Sequence, residues 1–315
     1  MKDRFGREIK SLRLSVTAAC NYRCVYCAGG EEPAPGVPRP LLSADELWEL
    51  SAAAVRCGVK KIRLTGGEPL LRRDLPSLCE RIAALDGLGE LTLTTNGSLL
   101  RELAAPLRSA GVARLNISLD TLRPDRFRAI TRLGTLDDVL DGLAAAEAAG
   151  FTRTKLNVVL MGGVNDDEIP DFVALTRDRS LSVRFIELMP TRVSAALPRE
   201  RFLSADAVLR AAPELEPIGA EGVAELYRAP GHRGTVGLIR PMSRSFCADC
   251  DRIRITADGM LKPCLHSGAE LSLRGLHGAA LEDAIRAAVL EKPQRHRLSP
   301  EQPSDALRDM YEIGG

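Results

Sequence analysis

Apolar and polar residues follow two rhythms along this chain, and the rhythms take turns. Leu12-Arg13-Leu14-Ser15-Val16 alternates with period two and predicts a β-strand. Downstream, Ser43 and Glu46 have capping-box spacing and Leu42 and Leu47 the spacing of a hydrophobic staple, so a helix is expected from there to about Cys57, stopping at Gly58. Lys61-Ile62-Arg63-Leu64 predicts a second strand, and Leu75, Leu78, Cys79 and Ile82 recur after it at helical spacing. The exchange continues through strands at 91–94, 113–118, 155–160 and 183–188. Helices are expected at 99–109, around Leu136, Val139, Leu140 and Leu143, and near 169–177. Cys57 and Cys79 fall on apolar faces and read as packing, while 29–40, rich in Gly, Pro and Glu, reads as a surface loop.

Strands alternating with helices imply a parallel sheet with right-handed crossovers. Six such units make either an open barrel of six strands or a doubly wound sheet, and periodicity alone leaves both open. The unusual residues favour the barrel. Gly66-Gly67-Glu68-Pro69, Thr95-Asn96-Gly97, Ser118-Leu119-Asp120 and Met189-Pro190 all follow strands, at the carboxyl edge where parallel α/β proteins build their sites. Each one alone is an ordinary turn. Beyond 190 the alternation stops, 190–201 reads as a connection, and short strands are expected at 222–228 and 234–239. The division expected is 1–190 as an α/β body and 191–315 as a smaller α+β region.

A chain of 315 residues suits one barrel-sized domain plus such an addition. Its 43 basic and 42 acidic residues provide no global field for nucleic acid or an acidic membrane, so an anionic ligand must meet a local basic cluster. No apolar run is long enough to span a bilayer, and the charged first ten residues lack a secretory core, so a reducing cytoplasm is expected. There, eight cysteines point to metal before disulfides.

Cys20, Cys24 and Cys27 stand in a C-x3-C-x2-C loop after the first strand. Spacing alone fits three quarters of a zinc site as well as an iron-sulfur cluster. The next histidine in sequence is His232, so the local set is incomplete for structural zinc, whereas three thiolates on a cubane leave one iron open. The motif, with Tyr26 before its last cysteine, resembles the signature of radical S-adenosylmethionine (SAM) enzymes. That resemblance implies an incomplete (β/α)6 TIM-like barrel, a 4Fe-4S cluster on Cys20, Cys24 and Cys27, and SAM contacts at Tyr26, Gly67, Glu68, Ser118 and Met189.

A second set, Cys247-Ala-Asp-Cys250 with Cys264 after thirteen intervening residues, would without context read as zinc, with His266 as a fourth ligand. Together with Asp251-Arg252-Ile253-Arg254 and Ala257-Asp258-Gly259 it resembles the GTP 3′,8-cyclases of molybdenum cofactor biosynthesis. The likeness runs from Phe5-Gly6-Arg7 to the terminal Gly314-Gly315. It implies a second 4Fe-4S cluster on Cys247, Cys250 and Cys264 with an open iron for substrate, and GTP contacts at Arg13, Arg63, Thr94, Lys155, Arg252, Ile253 and Arg254. Catalytic roles follow for Arg252, Arg254 and the two glycines, whose lack of side chains would fit them beside SAM and substrate. The strands supply an independent argument for the cations. Charge on a strand buried on both faces must be paired or must bind an anion, which also brings in Lys61 and Arg184.

The chemistry implied is SAM cleavage after one-electron reduction, hydrogen removal from the ribose 3′ carbon of GTP, and bonding of that carbon to C8 of guanine. An external electron donor is implied, as is a downstream cyclic pyranopterin monophosphate synthase that takes the product. A radical SAM enzyme acting on a peptide, with an auxiliary cluster, is the nearest alternative, and a zinc-stabilised binding module the next. The run from Met189 to Pro198 departs from the longer Gly- and Asn-containing loop common in the family, and no contact is assigned to it. His232, His266 and the helix around 281–290 read as solvated or core positions.

Overall fold

The computed structural model describes residues 1–29, 40–299 and 301–314. Most of the loop expected at 29–40 lies outside the described residues, and so does Gly315. The first half alternates as expected: β1 (Ser11–Ser15), α1 (Ala44–Arg56), β2 (Lys61–Thr65), α2 (Leu75–Ala83), β3 (Glu90–Thr95), α3 (Leu100–Ser109), β4 (Arg114–Ser118), α4 (Pro124–Thr131), α5 (Leu136–Ala148), β5 (Lys155–Leu160), α6 (Ile169–Ala174) and β6 (Ser182–Glu187). Helix α1 begins at the capping box, with Glu46 N donating to Ser43 Oγ at 3.2 Å and Ser43 N to the Glu46 carboxylate at 2.8 Å. It ends before Gly58, whose φ of +102° favours glycine. The helical region between β4 and β5 is two helices rather than one.

After β6 come α7 (Asp206–Ala211), β7 (Glu216–Glu221), β8 (Ala224–Arg228), β9 (Thr235–Ile239), β10 (Arg252–Ile255), β11 (Met260–Lys262), β12 (Leu271–Ser272), α8 (Gly278–Leu290) and α9 (Met310–Ile313). These strands do not form a sheet of their own. β9 pairs in parallel with β6 and β10 in parallel with β1, so a single twelve-stranded sheet runs β12-β11-β10-β1-β2-β3-β4-β5-β6-β9-β8-β7. An open sheet of six strands has two edges of unpaired backbone, and the C-terminal half supplies a strand to each. The sheet does not close, yet residues from β10 and from β8 and β9 line the same cavity, so it curves as an incomplete barrel.

Strand alternation divides the side chains between two faces. Leu12, Leu14, Ile62, Leu64, Leu91, Leu93, Leu115, Ile117, Leu156, Val158, Val183 and Phe185 are buried in the main core. Their neighbours Arg13, Arg63, Thr94, Asn116, Lys155, Asn157 and Arg184 line the cavity instead. Cys57 and Cys79 are buried in the core, as their positions on helix faces suggested. Ile253 sits between Arg252 and Arg254 on β10, so its side chain is turned into the core at 1% exposure and does not line the cavity.

Candidate active site

The cavity enclosed by the sheet has a volume of about 490 Å³ and is reached by both cysteine triads. Cys20, Cys24 and Cys27 follow the carboxyl end of β1. Cys250 lies two residues before the amino end of β10, which runs parallel to β1, and Cys264 follows antiparallel β11 at that same end. The triads therefore face one chamber from opposite ends of the strands. All six thiols are free.

Among the described residues no three His, Cys, Asp or Glu side chains already stand close enough to hold one metal ion. Burial pushes the Cys24 thiol well up and the Cys27 thiol up to about 12, so ionising them takes a bound cation nearby. At Cys247 burial acts the same way, but hydrogen bonds from His296 and Ser245 prevail and bring it down to about 6. Half-buried, unbridged, soft donors at the cavity wall fit iron-sulfur ligation.

Around the first triad, Tyr26 Oη donates to Asp120 at 2.6 Å, and Val159 N donates to the other Asp120 oxygen at 2.8 Å. Burial nonetheless raises the Asp120 carboxyl to about 6. Glu68 lies across the rim. Its carboxylate accepts from Leu70 N at 3.0 Å, Thr95 Oγ1 at 2.7 Å and Asn96 N at 2.7 Å. A carboxylate has about four acceptor positions, so one is left for a ligand ammonium. Burial outweighs the three bonds and lifts Glu68 to about 7. Gly67 packs so tightly that a Cβ there would lie 2.3 Å from the Ala19 carbonyl oxygen. Ser118 and Met189 also line the cavity.

The cations form two groups. Arg254, Arg13 and Arg63 are register partners across β10, β1 and β2. None of them is ion-paired to a carboxylate among the described residues, although Arg254 donates to the Gly314 carbonyl at 2.5 Å. Burial first, and then their mutual repulsion with Arg252, pushes Arg13 far down, Arg63 to about 9 and Arg254, with Arg252 as its main repulsive neighbour, to about 10. Arg252 sits beside them, 3.7 Å from Asp251 and over the Phe246 ring.

The second group is ion-paired, four cations sharing two carboxylates. Lys61 pairs with Glu90 at 2.5 Å, and Arg114 bridges Glu90 at 3.2 Å and Glu221 at 3.1 Å. Lys155 and Arg184 reach Glu221 at 2.7 and 2.6 Å. Thr94 Oγ1 is buried at the cavity wall without a hydrogen-bond partner.

Sequence reasoning missed several of these side chains. Arg114 is a cation at the start of an expected strand and falls under the same argument as Lys155. Glu221 lies at a hairpin turn and carried no local signal. His266, taken for a solvated or core position, lines the cavity with Nδ1 buried and unpartnered, edge-on to His296 at 5.3 Å between ring centroids. His232, in contrast, is tied to Thr176 away from the cavity at 2.8 Å.

Comparison with known proteins agrees with this geometry. The radical SAM superfamily model matches residues 14–176, and the molybdenum cofactor synthesis C model matches 181–298. The GTP 3′,8-cyclase of Peptoclostridium acidaminophilum is 47% identical over 99% of this chain and 98% of its own length. The GTP 3′,8-cyclase of Geobacter sulfurreducens is 48% identical over 99% of each. The chain belongs to the GTP 3′,8-cyclase family of radical SAM enzymes. Members of this family carry a SAM-binding 4Fe-4S cluster and a second cluster, and the two triads stand where those would be held.

Among solved structures, Streptococcus suis SuiB aligns over 95% of this chain and 76% of its own, with a TM-score of 0.59 and 14% identity. SuiB has also been solved with the precursor peptide SuiA. At that identity the likeness establishes the shared fold and lends no weight to a peptide substrate.

Proposed function

We propose that this enzyme converts GTP to (8S)-3′,8-cyclo-7,8-dihydroguanosine 5′-triphosphate in molybdenum cofactor biosynthesis. The observation that carries the reading is one chamber with a cysteine triad at each end and, between them, the uncompensated arginines Arg13, Arg63 and Arg254. A polyphosphate is the anion such a wall suits, because guanidinium groups bind phosphate oxygens in pairs and its negative charge relieves their repulsion. Full-length similarity to GTP 3′,8-cyclases supports the choice of GTP.

In this reading Cys20, Cys24 and Cys27 hold one cluster and Cys247, Cys250 and Cys264 the other. The clusters and SAM supply radical chemistry that removes hydrogen from an unactivated ribose carbon, beyond the reach of acid or base side chains at neutral pH. The residues of the chain orient the reactants. Glu68 takes the SAM ammonium at its remaining acceptor position, Gly67 lets the ligand lie against backbone, and Tyr26, fixed by Asp120, supports the adenine. Ser118 and Met189 complete that side.

Arg13, Arg63, Lys155, Lys61 and Arg184 serve the phosphates, Thr94 uses its idle hydroxyl on the nucleotide, and Arg252 and Arg254 flank the reacting sugar. Ile253 contributes only backbone. Gly314, held by Arg254, brings the chain to the chamber, and Gly314 and Gly315 are the glycines needed for turnover. Residues 1–190 then carry the SAM side and 191–315 the substrate-cluster side. An external donor supplies electrons, a cyclic pyranopterin monophosphate synthase takes the product, and the cytoplasm is the setting. Among the described residues no helix is long and apolar enough to cross a membrane.

The test is anaerobic incubation of the reconstituted protein with SAM, a reductant and each nucleoside triphosphate in turn. GTP alone should give 5′-deoxyadenosine together with the cyclised nucleotide. Deoxyadenosine formation that is indifferent to GTP would overturn the reading.

A further inference from the structure

The charged side chains of the cavity include an anion carried by the hairpin at the far edge of the sheet. Glu221 ends β7 at the tip of the β7–β8 hairpin, an antiparallel pair on the far edge of the sheet. Its carboxylate reaches over three parallel strands to three cations at once: Lys155 on β5 at 2.7 Å, Arg184 on β6 at 2.6 Å and Arg114 on β4 at 3.1 Å. Exposure is unequal. Glu221 retains 40% of its side-chain surface, whereas Arg114, Arg184 and Lys155 keep 2, 3 and 13%. The cations are rooted in the sheet, and the anion lies on them from outside.

A cradle of two guanidinium groups and an ammonium, converging on two oxygens, is what a terminal phosphate requires. We propose that Glu221 is the resident counter-ion of the terminal-phosphate subsite formed by Lys155, Arg184 and Arg114, and that the substrate's terminal phosphate displaces it. The inference rests on the GTP reading for the natural ligand and goes beyond it in assigning a residue that competes with the substrate.

The physical case has three parts. Without Glu221 the three adjacent cations would keep only Glu90, 3.2 Å from Arg114, and Lys155 and Arg184 would have no anion, so a resident carboxylate relieves their repulsion and keeps the wall assembled. Partial burial works against its ionisation, but the Lys155 hydrogen bond and the three positive charges hold Glu221 down to about 2, so protonation does not clear the site at neutral pH and the carboxylate must move. A phosphate group carries more charge and more acceptor oxygens than a carboxylate. It therefore wins the cradle when the chain of phosphates is long enough to reach it. The hairpin position of Glu221 lets it leave while β4, β5 and β6 stay in register.

The experiment compares wild type with Glu221→Gln as anaerobic, cluster-reconstituted holoenzyme, measuring equilibrium binding of GTP, GDP and inorganic triphosphate with and without Mg²⁺. Removing the competitor should tighten GTP and inorganic triphosphate by roughly tenfold, the scale of one charge-assisted hydrogen bond, and change GDP by less than about twofold. The nucleotide-free variant should melt below wild type, with a larger upward shift on adding GTP. Weaker or unchanged GTP binding in Glu221→Gln would overturn the inference, as would a loss seen only with Mg²⁺, which would make Glu221 a metal-bridging ligand.

Inorganic triphosphate separates the two readings. If wild type ignores GTP but the variant binds triphosphate tighter, the GTP assignment fails and the counter-ion assignment stands. Should Glu221→Gln not fold, hydrogen exchange on wild type decides. Faster exchange across 216–228 on adding triphosphate supports displacement, and slower or unchanged exchange refutes it.

Discussion

Arg254 holds Gly314 by its backbone: the guanidinium donates to the Gly314 carbonyl at 2.5 Å, joining the end of the chain to the strand beside β1. Gly314 adopts φ +84°, and a Cβ there would come within 2.6 Å of Thr65 Cγ2. The tail thus enters the chamber at a point where a side chain has neither conformation nor space. Gly314→Ala, strained by about 1–2 kcal/mol in a left-handed conformation, should bind GTP within a few fold of wild type yet lose most cyclised product. Binding measured alongside product formation checks it. Full turnover in the variant would remove the tail from the mechanism.

Arg63 and Arg13 repel each other across adjacent strands with no carboxylate among the described residues between them. Burial first, and then repulsion from Arg252, Arg114 and Arg254, lower the Arg63 pKa to about 9, so its charge works against the empty fold. Arg63→Gln should therefore raise the melting temperature of the nucleotide-free protein by about 2 °C while weakening GTP by roughly ten- to a hundredfold. A variant that loses stability and affinity together would show that Arg63 is a structural cation and not a phosphate ligand.

Glu68 titrates near 7 in the absence of ligand because burial outweighs its three hydrogen bonds. Protonated Glu68 has no charge to offer the SAM ammonium, so SAM affinity should rise with pH through about 7 and level off above it. The free protein goes the other way: a carboxyl whose folded value exceeds its unfolded one favours folding at low pH, and that contribution is lost as pH rises through about 7. Dialysis of labelled SAM from pH 5.5 to 8.5 reads the first effect. Glu68→Gln should flatten the profile.

Each triad should carry its own metal. Reconstituted wild type should hold roughly eight irons if both clusters are cubanes, and Cys24→Ala and Cys250→Ala should each retain about four, with different cluster spectra. Iron analysis and electron paramagnetic resonance of the reduced proteins distinguish them. Loss of all iron from either variant would mean the sites are not independent.

Much of the site was legible because its parts are local. Cys20, Cys24 and Cys27 lie within eight residues, Gly66-Gly67-Glu68-Pro69 is a contiguous turn, and a cation on a buried strand, as at Arg13, Arg63, Lys155 and Arg184, is anomalous wherever the strand ends up. The Ile253 side chain is turned away from the cavity that Arg252 and Arg254 line, because a strand turns alternate residues to opposite faces. Glu221 escaped because an acidic residue in a turn is ordinary until its distant partners are known. His266 escaped for the same reason, since nothing near it in sequence indicates that its ring faces a cavity.

The sequence by itself determined the alternation of β1 to β6 with their helices, the cap of α1 and the thiol donors of both cysteine sets, because periodicity, capping and ligand type act over a few residues, while the choice of iron-sulfur over zinc rested on the family resemblance. Only the tertiary structure decided that β9 and β10 would complete opposite edges of one sheet and bring the triads to face each other. It alone also left Arg13, Arg63 and Arg254 uncompensated while Lys155 and Arg184 took Glu221 as a partner. Strand pairing and charge compensation depend on which segments meet in space, and backbone edges and buried charges accept any partner of the right kind that the fold brings within reach.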